Sequence, residues 1–225
     1  QFTKLSFGVL SIMKIKRWLI PLLVALTAGV VFANDNLLNK LEGLFANNGS
    51  PPPTLIQATG SIEVAFSPNN GVTAVVVKAI GEAKQTLLVA AYSFTSKDIA
   101  EALLDAKKRG VAVKIILDKS QVSQKYSSST FFANQGFDLR IDVKHAIYHD
   151  KVMIIDDKTV ITGSFNFTKA AETKNAENLL VLRDNPTLAK LYTQDWWFNW
   201  QQAIPRDEFV NKRNLRAQAK GTTDE

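Results

Sequence analysis

The chain has 225 residues, no cysteine and a formal net charge of +6 at pH 7. Residues 1–33 hold four of the 27 basic side chains and no acid, so the remainder carries 23 basic and 21 acidic side chains, a net charge of +2. This near-neutral balance makes bulk charge a weak argument for a nucleic-acid partner. The lack of cysteine excludes a disulfide framework, so the fold depends on packing.

Residues 1–33 have the features of an export signal. Met13 is the expected initiator, preceded by upstream residues 1–12, and three basic residues follow it closely. The apolar run Trp18–Phe32 is shorter than the roughly twenty residues of a membrane span, although an uncleaved anchor is the alternative. Because the run ends at the small-residue site Val31-Phe32-Ala33, we expect cleavage there and a mature chain that begins at Asn34. The expected protein is periplasmic or secreted, with no stable membrane association after cleavage.

The rest of the chain divides into three parts by composition. Residues 34–58 combine leucines at helical spacing with a polar, Pro-rich linker. Residues 59–203 alternate apolar strand-like segments with helical ones, which predicts a single α/β domain. Its expected sheet is mixed and largely parallel, buried between helices on both faces. Residues 204–225 are a polar, charged tail that we expect to be mobile.

A tryptophan stripe marks the last helix of this domain. Trp196, Trp197 and Trp200 recur at helical spacing. Such a stripe either stacks on nucleic-acid bases or belongs to a core or a dimer interface.

An apolar hairpin with polar residues at fixed spacing lies in the middle of the domain. The pattern is H-x-K-x4-D-x6-G-S-x-N and begins at His149. Val152–Ile155 is predicted as a buried strand, residues 156–158 as a turn, and Thr159–Thr162 as the returning strand.

The predicted hairpin brings the polar residues of the pattern together. Alternate residues of a strand share a face, so His149 and Lys151 are expected to point the same way. The returning strand then places Ser164 and Asn166 near His149. One phosphate could contact all four side chains.

Other catalytic patterns are absent or badly spaced. His145 and His149 would suit a zinc pair on a helix. On one strand they would lie roughly 13 Å apart, at about 3.3 Å per residue. The patterns G-x-S-x-G, G-x-x-x-x-G-K-[ST] and G-x-G-x-x-G do not occur, so a serine hydrolase and a nucleotide cofactor are unsupported. We expect no metal and no cofactor.

The hairpin pattern resembles the HKD motif of the phospholipase D superfamily. The resemblance extends over about Ile62–Gln201 and is strongest to the small secreted bacterial endonucleases of that family. Weaker support comes from Ala91-Tyr92-Ser93-Phe94-Thr95, and Asn175-Ala176-Glu177-Asn178 resembles the segment of the downstream glutamate that orients the nucleophilic histidine. The catalytic residues that the resemblance implies are His149, Lys151, Ser164, Asn166, Glu177 and Asp156, of which Asp156 is either catalytic or a structural turn residue.

The resemblance also implies a mechanism and an assembly. Larger family members carry two HKD motifs in one chain and this chain carries one, so a homodimer with a composite site is expected. His149 would form a phosphohistidine, and His149 of the partner subunit would protonate the leaving oxygen. Lys151 and Asn166 would hold the non-bridging oxygens without a metal.

The expected function is that of a metal-independent, sequence-nonspecific endonuclease that hydrolyses DNA or RNA phosphodiesters. The alternatives are a phospholipase D or cardiolipin-type phosphodiesterase, which should show an exposed apolar rim around its site, and a binding module that has lost catalysis. The intact motif argues against the last. Six cations either guide a nucleic-acid backbone or form solvated faces. They are Lys107, Lys108, Arg109, Lys144, Lys169 and Lys174.

Overall fold

A computed structural model of the chain describes Leu37, Leu38, Lys40, Gly43 and residues 49–123 and 128–221. The predicted export signal lies outside the described residues. Within them, no helix is both long enough and apolar enough to cross a membrane.

Strands and helices alternate through the first half of the domain, whereas its second half begins with two consecutive strands. The strands are β1 (Ser61–Ser67), β2 (Thr86–Ala91), β3 (Ala112–Asp118), β4 (Asp138–Asp142), β5 (Lys151–Ile155), β6 (Thr159–Gly163), β7 (Glu177–Arg183) and β8 (Ile204–Pro205). The helices are α1 (Val72–Gly81), α2 (Lys97–Lys108), α3 (Ser129–Asn134), α4 (Lys169–Thr173), α5 (Pro186–Gln202) and α6 (Arg206–Gly221), with a 3₁₀ turn over Lys119–Val122.

The strands of the described residues form one sheet in the order β1-β7-β6-β5-β2-β3-β4-β8. The mixed α/β class is confirmed, but the expectation of a largely parallel sheet is wrong. Two pairings, β2–β3 and β3–β4, are parallel and the other five are antiparallel. Parallel neighbours need a crossover, which α2 and α3 supply, whereas the short turn between β5 and β6 permits only an antiparallel return.

The central strands of the sheet are buried on both faces, as their continuous apolar sequences predict. Every residue of β2 is buried. Leu87 and Val89 face the core under α1 and α2, and Leu88 faces the core under α5. The tryptophan stripe of α5 belongs to this second core, with Trp196 Nε1 donating to Val89 O at 3.0 Å. The core interpretation of the stripe is therefore confirmed, and its buried rings cannot stack on bases.

The two ends of the domain are more ordered than composition suggests. Leu38, from the leucine-rich segment, is helical and buried against the tryptophan core. The tail expected to be mobile after Pro205 forms α6, whose Phe209 packs on the first core. Arg206 also donates to Thr130 Oγ1 at 3.3 Å. One apolar residue and one arginine thus tie a mainly polar helix to the domain.

Candidate active site

One end of the sheet collects the polar residues of the hairpin pattern. β5 begins at Lys151, β6 ends at Gly163 and β7 begins at Glu177. β6 lies between β5 and β7 and runs antiparallel to both, so the three residues meet at the same end. β2 and β3 run toward this end as well, and β3 finishes there at Asp118.

His149 presents an exposed ring at this end. It lies two residues before the start of β5 and not within the strand. Its ring packs against Tyr92 with centroids 4.6 Å apart and planes tilted by 53°. The ring nitrogens form no hydrogen bond within the described residues, so the imidazole is free to meet a substrate.

The backbone around His149 is held on both sides. Tyr148 N donates to the buried Asp118 carboxylate at 2.8 Å, and Asp150 O accepts from Tyr92 N at 2.8 Å. The His149 carbonyl accepts from Lys151 Nζ at 2.6 Å. An exposed ring on a fixed backbone is the arrangement that a positioned nucleophile requires.

Lys151 is a largely desolvated cation. Its side chain is buried, and Nζ lies 5.2 Å from the centroid of the Tyr92 ring. Burial lowers the pKa of Lys151, while the nearby carboxylates of Asp150 and Glu177 act in the opposite direction. A cation withheld from water gains more from an arriving phosphate than an exposed lysine does.

Gly163 allows Ser164 to approach β7 closely. Its φ is 149°, and a Cβ at this position would lie 2.3 Å from Asn178 O. Ser164 Oγ donates to Glu177 Oε2 at 2.6 Å and accepts from Asn178 N at 3.1 Å. The other Glu177 oxygen accepts from Asn175 Nδ2 at 3.0 Å. Within the described residues Glu177 orients Ser164 and forms no hydrogen bond with His149, so the role toward histidine that the resemblance implies stays a prediction.

Asn166 has a side-chain oxygen without a hydrogen-bond partner. Its Oδ1 atom is buried and has no hydrogen-bond partner within the described residues. Buried side-chain oxygens are normally bonded, and exceptions concentrate where a ligand or solvent molecule binds. The unpaired atom is an acceptor, so the contact of Asn166 with phosphate oxygens that the resemblance implies would use its Nδ2 donor and stays a prediction.

Asp156 does not join this group. It lies in the turn at the opposite end of β5, roughly 16 Å along the strand from Lys151. Its φ is 51°, and its carboxylate accepts from the backbone amides of Lys84, Gln85 and Thr86 at 2.8–2.9 Å. The catalytic assignment of Asp156 is therefore corrected to a structural one, because its oxygens are occupied far from His149.

His145 is also placed differently from the prediction. It lies in the loop between β4 and β5 and does not share a strand with His149. Its Nδ1 is 3.1 Å from Asp142 Oδ1, and its backbone N donates to the same carboxylate at 3.1 Å. Within the described residues, no group of three or more His, Asp or Glu side chains could hold a metal ion. The metal-free chemistry stays a prediction.

The sequence assigns no individual role to three residues of the site. Tyr92 contacts the His149 ring, Asp118 accepts from the Tyr148 amide, and Asp150 is a half-buried carboxylate next to His149 in the chain. Burial raises the pKa of Asp150, and the neighbouring Asp195 raises it further. Tyr92 and Asp118 each lie at the carboxyl end of a buried strand, which was the available signal.

The six cations separate into two groups. Lys107, Lys108 and Arg109 end α2 at the far side of the sheet and bond to Gln135 O, Asp105 Oδ1 and Ile80 O, respectively. The exposed Lys144, Lys169 and Lys174 lie on loops and the helix start around the catalytic end. Only the second group is placed to attract a polyanion to the site.

The chain belongs to the phospholipase D superfamily. The family model described as "Cardiolipin synthase, PLD-like domain" matches residues 76–200, more than half of the chain. The protein is accordingly a phosphodiesterase of that family.

Known relatives and a solved structure match half of the chain or more. A protein named phospholipase D from Rickettsia bellii is 36% identical over 186 residues, covering 79% of this chain and 90% of the relative. A mitochondrial cardiolipin hydrolase from Chlamydomonas reinhardtii is 36% identical over 115 residues, 51% of this chain and 52% of the relative. The crystal structure of Nuc, a phospholipase D family member from Salmonella typhimurium, superposes with a TM-score of 0.62 and 45% identity, covering 64% of this chain and 97% of Nuc.

Proposed function

We propose that this phosphodiesterase is a metal-independent, sequence-nonspecific endonuclease that hydrolyses DNA or RNA. The observation that carries the proposal is the exposed His149 ring on a fixed backbone, beside the desolvated Lys151. The exposed lysines around this end of the sheet would attract a nucleic-acid backbone, in a salt-sensitive manner and without reading sequence.

The reaction proceeds by double displacement. A neutral His149 nitrogen attacks phosphorus, the phosphorus–nitrogen bond forms, and the bond to the leaving oxygen breaks. The protonated His149 of the partner subunit gives its proton to that oxygen. A water molecule then attacks phosphorus, passes a proton to the same partner histidine, and breaks the phosphorus–nitrogen bond. Lys151 and Asn166 hold the non-bridging oxygens throughout.

In this proposal the second histidine of the scheme comes from a second chain. His145 is bound to Asp142 in a loop and is the only other histidine. An isologous dimer brings a residue near its two-fold axis against its own copy, which supplies both roles with one motif.

A candidate contact for that dimer lies along β1. Ile62, Val64 and Phe66 are 53–59% exposed on one face of this edge strand. Phe66 pairs with Asn178, whose side chain bonds to Ser164 Oγ at 3.2 Å. The apolar stripe therefore runs up to the catalytic end, where a second copy has to approach.

The dimer is tested by a mixed species. Wild-type and His149→Asn chains are co-expressed with separate tags, and the dimer that carries both tags is purified. A composite site predicts almost no activity from the mixed dimer. Half of the wild-type activity, or a fully active monomer in sedimentation, would contradict it.

One observation favours lipid as the alternative substrate. Ile147 is 56% and Val143 is 40% exposed in the loop that leads to His149, so an apolar rim exists on one side of the site. Parallel assays on supercoiled plasmid and on labelled cardiolipin vesicles, both in excess EDTA, decide between the substrates. We expect plasmid nicking without lipid hydrolysis, and no nicking by His149→Asn. Lipid hydrolysis alone would favour the alternative, and EDTA inhibition reversed by Mg²⁺ would contradict metal-independent cleavage.

We also propose export to the periplasm or the medium with cleavage after Ala33. The basic, apolar and small residues after Met13 motivate it. Mass spectrometry of the exported protein should find Asn34 at the N-terminus, whereas an intact Met13 terminus in the membrane fraction would indicate an anchor.

A further inference from the structure

A cavity of about 320 Å³ opens beside the catalytic histidine. It lies beyond the ends of β2 and β3, and Tyr92 forms one of its walls. Tyr92 also contacts His149, and the centroids of the two rings lie 4.6 Å apart. One aromatic ring thus separates the cavity from the nucleophile.

Two cations reach this cavity. Lys119 Nζ donates to His145 O at 2.7 Å and forms no ion pair within the described residues. Arg213 is exposed and likewise has no described acidic partner. Among the described lining residues Asp118 is the one acid, and its two oxygens accept from Ser120 N and Tyr148 N. The cavity therefore keeps positive charge available for an anion.

Apolar surface completes the walls. Phe209 is half-buried and packed on the core, while Ile147 is 56% exposed. Together with Tyr92 they provide aromatic and aliphatic faces next to the two cations. This combination suits a nucleotide, whose base is flat and apolar and whose phosphate is charged.

α6 supplies one of the two cations and one of the two aromatic rings of the cavity. The family model ends at residue 200, and α6 begins at Arg206. Phe209 and Arg213 are four residues apart, so they share one face of the helix. β8 pairs with β4 immediately before α6 and fixes the direction in which the helix starts. The helix is an addition to the matched domain that brings one ring and one cation to the cavity.

We propose that this cavity binds the nucleotide adjacent to the scissile phosphate. The neighbouring phosphate contacts Lys119 and Arg213, and its base or sugar packs on Phe209. The volume suits one mononucleotide, at the lower end of the range of about 300–1,000 Å³ for ligand sites. The inference rests on the proposed nuclease function and assigns a substrate subsite to it.

The test compares two substrates and two variants of one helix. Arg213→Gln removes the cation of the cavity, and Lys212→Gln removes a neighbouring cation that pairs with Glu208 outside it. The substrates are a single-stranded octanucleotide and bis(4-nitrophenyl) phosphate, a diester without a neighbouring phosphate. Arg213→Gln should raise KM for the octanucleotide about tenfold more than for the small diester, the scale of one lost phosphate contact. Lys212→Gln should change the ratio of the two KM values, octanucleotide over small diester, by less than about twofold.

Binding gives a second readout. In a His149→Asn background, Arg213→Gln should weaken octanucleotide binding about tenfold in fluorescence anisotropy. The slope of the logarithm of the binding constant against the logarithm of the salt concentration should fall by about one unit, which corresponds to one lost phosphate contact. Equal effects of Arg213→Gln and Lys212→Gln, or equal losses on both substrates, would overturn the subsite. A wild-type protein that cleaves cardiolipin vesicles but not the octanucleotide would instead overturn the nuclease function, so the two failures are distinguishable.

Discussion

The two ends of the β5–β6 hairpin have opposite physical characters, although one sequence pattern covers both. At the catalytic end, the His149 ring is exposed, Lys151 is desolvated and Asn166 Oδ1 is unpaired within the described residues. At the turn, the Asp156 carboxylate accepts three backbone hydrogen bonds. The histidine ring and the lysine ammonium group can still meet a substrate, whereas the Asp156 carboxylate is occupied by the fold. We therefore expect substitutions at one end to change activity and at the other to change stability.

The largest effect should come from His149→Asn. Loss of the proposed nucleophile should lower kcat/KM by at least about a thousandfold, as removal of other enzymatic nucleophiles does. Because the ring is exposed, the melting temperature should stay within about 2 °C of wild type. Plasmid nicking and thermal unfolding measure the two quantities.

His145→Asn is the matched control for this substitution. It makes the same chemical change four residues away, at a ring that bonds to Asp142. Activity should stay within about twofold, because the ring is not in the proposed chemistry. A thousandfold loss in His145→Asn would mean that this histidine, and not a second chain, supplies the acid.

The hairpin and its chemistry follow from local sequence, but its surroundings do not. Alternation and turn residues suffice to predict two strands joined at Asp157. The contact between Tyr92 and His149 depends on β2 pairing with β5, two strands far apart in the chain. Likewise, the amides that bind Asp156 come from residues 84–86, so the spacing of the motif could not show whether this carboxylate was free. Local patterns predict which side chains share a strand, and only the topology shows what they meet.

The second-largest effect should come from Lys151→Met. Removal of the phosphate-binding cation should lower kcat by about a hundredfold to a thousandfold. Burial disfavours the charged lysine in the folded protein, so an apolar replacement of similar length should leave the melting temperature unchanged or raise it. Steady-state kinetics and calorimetry on the same preparation test both parts, and a large loss of stability would contradict the contrast between the two ends.

The pH dependence should identify Lys151 directly. Because its pKa is lowered by desolvation, the cation is lost at a lower pH than in an exposed lysine, and activity should fall as the pH rises through that value. Lys151→Arg keeps its charge over this range, so its alkaline decline should disappear even if its maximal rate is reduced. An unchanged alkaline limb in Lys151→Arg would assign the decline to another group.

At the turn, Asp156→Ala should reduce stability and spare activity. The substitution leaves three amides without their acceptor and puts alanine at a φ of 51°. The expected loss is about 2–4 kcal/mol, partly offset by water at the two exposed amides, which corresponds to about 5–12 °C in melting temperature. Asp156→Asn should lose less, because asparagine keeps one oxygen and tolerates this φ. A loss of kcat in well-folded protein at low temperature would restore a catalytic role for Asp156.

The smallest effect should come from Asp157→Asn, next to Asp156 in the same turn. Burial raises the pKa of Asp157, and the charge of Asp156 raises it further, while the hydrogen bond from Thr193 Oγ1 acts in the opposite direction. The folded state therefore holds this proton more tightly than the unfolded state, and stability falls as the pH rises through the window between the two pKa values. Asparagine removes that penalty, keeps an oxygen for Thr193 and suits the φ of 52°. The melting temperature at pH 7 should rise by about 1–3 °C, and the gain should shrink as the pH falls toward the ordinary aspartate pKa. A gain of equal size at both pH values would assign the effect to backbone preference, and a lower melting temperature at pH 7 would show that the ionised carboxylate stabilises the turn as Asp156 does.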